Sequence, residues 1–147
     1  MLLFLLNAVW FVLGGFFAGL AWILAGVIMA ITIIGIPWAR SCFMLARYTF
    51  WPFGYDIVSR DELHGRADMG TGVLGTIGNV IWFVLAGWWL ALMHIVAAAG
   101  LAVTIIGIPF AWAHVKLALA SLFPIGKTVV AVDELHLLPG IVPSRNV

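Results

Sequence analysis

The residues best equipped for chemistry form a duplicated tetrapeptide. Asp61-Glu62-Leu63-His64 recurs as Asp133-Glu134-Leu135-His136. Carboxylates and imidazoles are common metal ligands. The spacing is not that of a helical zinc-protease motif, and the polar surroundings predict an exposed element. A helix cap or an oligomer contact is the plainer expectation, and no metal site is assigned. His94 stands in an uncharged run at the position where the first copy has Trp22. A proton relay there would need an acid at similar depth, and the run has none, so His94 reads as an interfacial histidine. Cys42 has neither a counterpart in the second copy nor a neighbouring histidine. Ser41 and Ser121 have no base within sequence reach. With no phosphate loop and no basic-aromatic patch, the expectation is a protein that is not an enzyme, with no cofactor and no nucleic-acid partner.

These residues are placed by a repeat. Residues 7–64 and 79–136 align without a gap, and 26 of the 58 paired positions are identical. Asn7 meets Asn79, and Trp10-Phe11-Val12-Leu13 meets Trp82-Phe83-Val84-Leu85. Thr32-Ile33-Ile34-Gly35-Ile36-Pro37 meets Thr104-Ile105-Ile106-Gly107-Ile108-Pro109, and Pro52 and Gly54 meet Pro124 and Gly126. The divisions expected are a first repeat over 1–64, a linker over 65–72, a second repeat over 73–136 and a tail over 137–147.

Composition sets the environment. Hydrophobic residues make up 65% of the chain and charged residues 9%, where a soluble domain carries about 25% charged. Residues 1–39 and 72–113 contain no Asp, Glu, Lys or Arg. A membrane-spanning helix needs roughly 20 apolar residues, so the chain is read as an integral membrane protein. The lone cysteine excludes an internal disulfide.

Each repeat begins with an uncharged run that ends at a corner, Gly35 and Pro37 in one copy and Gly107 and Pro109 in the other. Glycine suits the position just past a helix end, and proline the first turn of the next helix. The following stretches, 38–51 and 110–123, span roughly 21 Å as helix and carry Arg40 and Arg47 or His114 and Lys116. They read as short interfacial helices. Residues 55–59 and 127–132 could form short strands.

All seven basic residues lie after a corner or in the tail. Positive charge marks the cytoplasmic side, so both copies are expected in one orientation with an even number of crossings each. Gly14-Gly15-Phe16-Phe17 and Ala86-Gly87-Trp88-Trp89 read as tight turns midway through the runs. The resulting fold class is an all-α membrane protein of four transmembrane helices, roughly 1–16, 18–35, 73–88 and 90–107. Each repeat is then a helical hairpin plus an interfacial helix, and both termini are cytoplasmic. One long tilted helix per repeat, with inverted copies, is the alternative.

Asn-x-x-Trp, then Thr-Ile-Ile-Gly-Ile-Pro, then Pro-x-Gly, twice over, resembles the YccF family of bacterial inner-membrane proteins. The family's two inner membrane component domains would fall at about 4–54 and 76–126. The resemblance implies a multi-pass protein of the bacterial inner membrane and implies no reaction. Where the family often has a basic residue after Pro-x-Gly, the first copy has Tyr55 and the second Lys127.

The recurring polar residues each carry two readings. Asn7 and Asn79 are interhelical glue or a polar ring lining an oligomeric pore. Thr32 and Thr104 bond back to carbonyls one turn earlier, or flank a helix break that binds ions. Arg40, Arg47, His114 and Lys116 snorkel to or contact anionic lipid, or form a basic vestibule. At the level of function, one expectation is an oligomeric channel or transport-type protein for ions or small solutes. The other is a structural or regulatory component that binds lipid or another membrane protein. Membrane lipids and further copies of the chain are the expected partners.

Overall fold

A computed structural model describes residues 1–137; most of the expected tail, 138–147, lies outside the described residues. The first uncharged run folds as α1 (Leu2–Trp10), a π-helical segment (Phe11–Gly15) and α2 (Phe16–Ile31). Together they form one 30-residue apolar helix, about 45 Å if straight. The second run repeats this as α5 (Val73–Trp82), a π segment (Phe83–Gly87) and α6 (Trp88–Ala102).

The tight turns expected at 14–17 and 86–89 are therefore π segments inside long helices. The break is partial: Gly14 leaves helical geometry at φ 160°, ψ −17°, and the helix resumes at Phe16. A helix that resumes within two residues keeps most of its backbone groups paired, which an apolar medium demands. Glycine followed by bulky aromatics looks the same in sequence whether it ends a helix or only bends one.

After each corner the chain returns along its long helix as α3 (Ile36–Phe50) or α7 (Ile108–Leu122). Small residues permit close packing: Gly19 lies against the Phe50 ring and Gly26 against Phe43. Both return helices end before a Pro-x-Gly turn in which Gly54 and Gly126 adopt φ of 95° and 91°. Tyr55 N–H donates to Pro52 O at 3.2 Å, the type II geometry that calls for glycine at the third position.

The turns lead into β1 (Tyr55–Ser59) and β2 (Lys127–Ala131), which pair antiparallel, so the fold is mostly helical with a small ribbon and not all-α. Ile57 faces Val129. The duplicated acidic tetrapeptides fall in or beside short helices, α4 (Arg60–His64) and α8 (Val132–Leu135). The core lies between the return helices and the ribbon, where Leu45, Leu117 and Leu135 are fully buried.

Candidate functional site: paired latches and the junctions between repeats

Asn7 and Trp10 are three residues apart and share a face of α1. That face receives the end of α3. Asn7 Nδ2 donates to Phe53 O at 2.8 Å, and Phe53 N–H donates to Asn7 Oδ1 at 2.9 Å. Trp10 Nε1 donates to Thr49 O at 2.6 Å. Copy two repeats the arrangement: Asn79 holds Ile125 through bonds of 3.0 and 2.9 Å, and Trp82 donates to Ser121 O at 2.8 Å. Thr49 O and Ser121 O belong to the last turn of a helix, where carbonyls lack intrahelical partners. The indole caps that end, and the amide clamps the second residue of the Pro-x-Gly turn through backbone atoms alone. Residue x is thereby free to differ, Phe53 in one copy and Ile125 in the other. Gly15 and Gly87 leave room for the indoles, since a Cβ on Gly15 would collide with Trp10.

The corners are closed just as locally. Thr32 Oγ1 donates to Met29 O at 2.7 Å and accepts from Gly35 N–H at 3.1 Å. Thr104 does the same with Leu101 and Gly107 at 3.2 and 3.0 Å. Gly35 and Gly107 have no room for a Cβ, which would collide with a carbonyl of the preceding turn. Pro37 and Pro109 occupy the first turn of α3 and α7.

The basic candidates separate. Arg40 and Arg47 are exposed on one side of α3, with the Arg47 guanidinium 5.8 Å from the Tyr55 ring centre. Lys116 instead reaches the other repeat, where its Nζ lies 3.3 Å from Asp56 Oδ1 with both side chains largely buried. His114 turns inward to His94, Nδ1 to Nδ1 at 3.0 Å, and its ring lies 4.9 Å from that of Trp10. Neither the histidine couple nor the Lys116–Asp56 pair is signalled by a local motif. His94 and His114 stand ten residues on either side of Thr104, and a hairpin about that corner would have brought them together.

Each return helix also meets the first segment of the other repeat's long helix. Trp38 Nε1 donates to Gly78 O at 3.2 Å, and the Phe110 ring stacks on Trp10 with centroids 6.3 Å apart. Beside each junction lies a cavity. The first, about 300 Å³, is walled by Trp10, Leu13, Gly14, Leu101, Phe110 and His114 among others. The second, about 310 Å³, is walled by Trp82, Leu85, Ala86, Met29 and Trp38 among others. These five occupy the same repeat positions as the first five walls of the first cavity. The position equivalent to His114 is Cys42, which is buried.

The inner membrane component domain of the YccF family matches twice, at residues 5–55 and 77–127. The chain belongs to the YccF family. Each match runs from the start of a long helix, through the latch residues and corner, to the end of the Pro-x-Gly turn. The inner membrane protein YccF of Escherichia coli (strain K12) is 38% identical over 131 residues, covering 87% of both chains. YccF of Shigella flexneri matches to the same extent. No solved structure matches. The YccF assignment makes this chain a member of an inner-membrane component family with a duplicated domain, and its two 30-residue apolar helices fit that setting.

Proposed function

We infer that the chain is a structural or regulatory component of the bacterial inner membrane that binds anionic lipid or another membrane protein. The observation that carries this reading is where the recurring polar groups are spent. Asn7, Asn79, Trp10, Trp82, Thr32 and Thr104 all bond to backbone of their own repeat. A solute path needs such groups along its wall, and here they are consumed in holding the fold. Outward-facing residues are apolar over most of the long helices, including Val12, Leu13, Phe17, Ile28, Val84 and Val96. Arg40 and Arg47 supply exposed charge for lipid phosphate.

The orientation belongs to the same reading. β1 and β2 bring the polar ends of both repeats together, and Arg60 and Lys127 lie there. Both repeats then enter and leave the bilayer on the cytoplasmic side, each with an even number of crossings, and the segments after β1 and β2 stay on that side. Reporters fused after residue 72 and after β2 are expected to be active in the cytoplasm. A periplasmic signal from either overturns the orientation.

For the function, the full chain is purified in detergent, its mass is measured, and its currents are recorded in a bilayer. The expected outcome is no conductance, with co-purified anionic lipid that falls when Arg40 and Arg47 are both replaced by Gln. A conducting homo-oligomer whose currents change on Asn7→Ala or Asn79→Ala overturns this in favour of a channel or transport-type protein.

A further inference from the structure

The two junction cavities are copies that have diverged. The second is lined without any titratable side chain among its walls, and Trp38 reaches across its junction to Gly78. The first has Phe110 in place of that tryptophan, Gly14 in place of Ala86, and the imidazole of His114 in its wall. A Cβ added at Gly14 would meet nothing within 4 Å, so this glycine borders open space. Leu13, one of its walls, is 75% exposed, so the cavity borders the outer face of the long helix. In a membrane, molecules arriving there come from the hydrocarbon.

Among the side chains of its walls, only Trp10 and His114 carry polar atoms. The indole N–H of Trp10 is committed to Thr49 O. His114 Nδ1 is committed to His94, which leaves Nε2 with no hydrogen bond among the described residues. One imidazole of the couple must donate through Nδ1 while the other accepts. If His114 accepts, its Nε2 carries the hydrogen and can donate to a carbonyl oxygen. If His114 donates, its Nε2 is an acceptor for a hydroxyl.

We propose that the cavity between Gly14 and His114 is a binding site for an apolar bilayer molecule with a single carbonyl-bearing head. The head bonds to His114 Nε2, and the apolar body lies against Trp10, Leu13 and Phe110. Free fatty acids and quinones share this chemistry. A volume of about 300 Å³ stands at the lower end of small-molecule sites, suiting one chain segment or one ring. The proposal goes beyond the reading above and does not rest on it, because a conducting or a non-conducting protein could hold such a ligand.

The test is equilibrium binding to the full chain in detergent, with radiolabelled palmitic acid in one arm and a radiolabelled short-chain benzoquinone in the other. Saturable binding of one equivalent is expected in at least one arm, and the arm that saturates names the source. Gly14→Leu fills the cavity, and His114→Cys installs the residue of the other copy; each is expected to weaken binding at least tenfold. Ala86→Leu, in the second cavity, is expected to leave binding unchanged. Either of the first two variants suffices if the other does not fold. The proposal is overturned if neither probe saturates, if a folded Gly14→Leu or His114→Cys protein binds like the parent, or if Ala86→Leu weakens binding equally.

Discussion

Ile57 of β1 lies directly opposite Val129 of β2, and the two residues occupy the same position of the repeat. A copy that pairs with its copy at equivalent residues makes an isologous contact inside one chain, with a local two-fold relation through that pair. The same relation carries Trp10 and Phe110 onto Trp82 and Trp38, and the first junction cavity onto the second.

The ribbon therefore joins the repeats, and its two central residues differ in burial. Val129 is buried and Ile57 half-buried. Val129→Asp places an unpaired carboxylate in the core and is expected to cost about 3 kcal/mol, with Ile57→Asp costing less. Thermal unfolding in detergent, followed by near-ultraviolet circular dichroism, reads the difference. Equal effects would mean that the two-fold contact does not order this core.

Asn7→Ala strips both bonds from the Phe53 backbone in a buried site, where Asn7 is 1% exposed. The expected loss is about 2 kcal/mol. Asn79 is half-buried, so Asn79→Ala should cost about 1 kcal/mol. Chemical denaturation of both variants in one detergent gives the ranking, and a larger loss at Asn79 would contradict the latch geometry.

Thr49 and Ser121 hold the same repeat position but differ in what their hydroxyls do. Thr49 Oγ1 donates to Leu45 O at 2.7 Å. Ser121 Oγ is buried with no hydrogen-bond partner among the described residues. An unsatisfied buried hydroxyl costs free energy, so Ser121→Ala is expected to be neutral or stabilising by up to about 1 kcal/mol. Thr49→Ala, which loses a bond and a methyl, should destabilise. The comparison needs only the two melting temperatures.

Asp68 organises the linker. It accepts from Arg60 Nε at 2.7 Å and Nη2 at 2.9 Å, and from the N–H groups of Gly70 and Thr71 at 2.7 and 3.0 Å. The Arg60 hydrogen bonds, above all, hold its carboxyl well below the usual carboxylate range. A depressed folded value means that the contribution is complete above roughly pH 4 and is lost as pH falls through the folded value below it. Pepsin cleavage within 65–72, scaled to cleavage of a free peptide of that sequence, should rise as pH drops below about 4. Asp68→Asn should cleave readily throughout; if it is cleaved no faster than the parent, the linker is held by something else.

The parts of this protein legible in its sequence are those that depend on local composition or on self-similarity. The duplication, the two apolar runs and the Gly-Ile-Pro corners could be read directly, because helix termination and hydrophobic length are set by residues near in the chain. The candidate short strands at 55–59 and 127–132 were visible for the same reason, although their pairing was not. Asn7, Asn79, Thr32 and Thr104 stood out because they recur.

What those residues do was decided only in three dimensions. The amide of Asn7 meets its partner 46 residues away, the indole of Trp10 meets its own 39 away, and Lys116 finds Asp56 in the other repeat. Such contacts follow from how whole elements pack, and no local propensity encodes them. The same limit explains the turns expected at 14–17 and 86–89. Glycine beside aromatics lowers the cost of bending a helix, and whether the helix ends there is settled by the return helix that covers it. By itself the sequence determined that this protein is built twice and belongs in a membrane. The tertiary structure determined that the two copies clasp through equivalent residues and that one of their junctions acquired an imidazole.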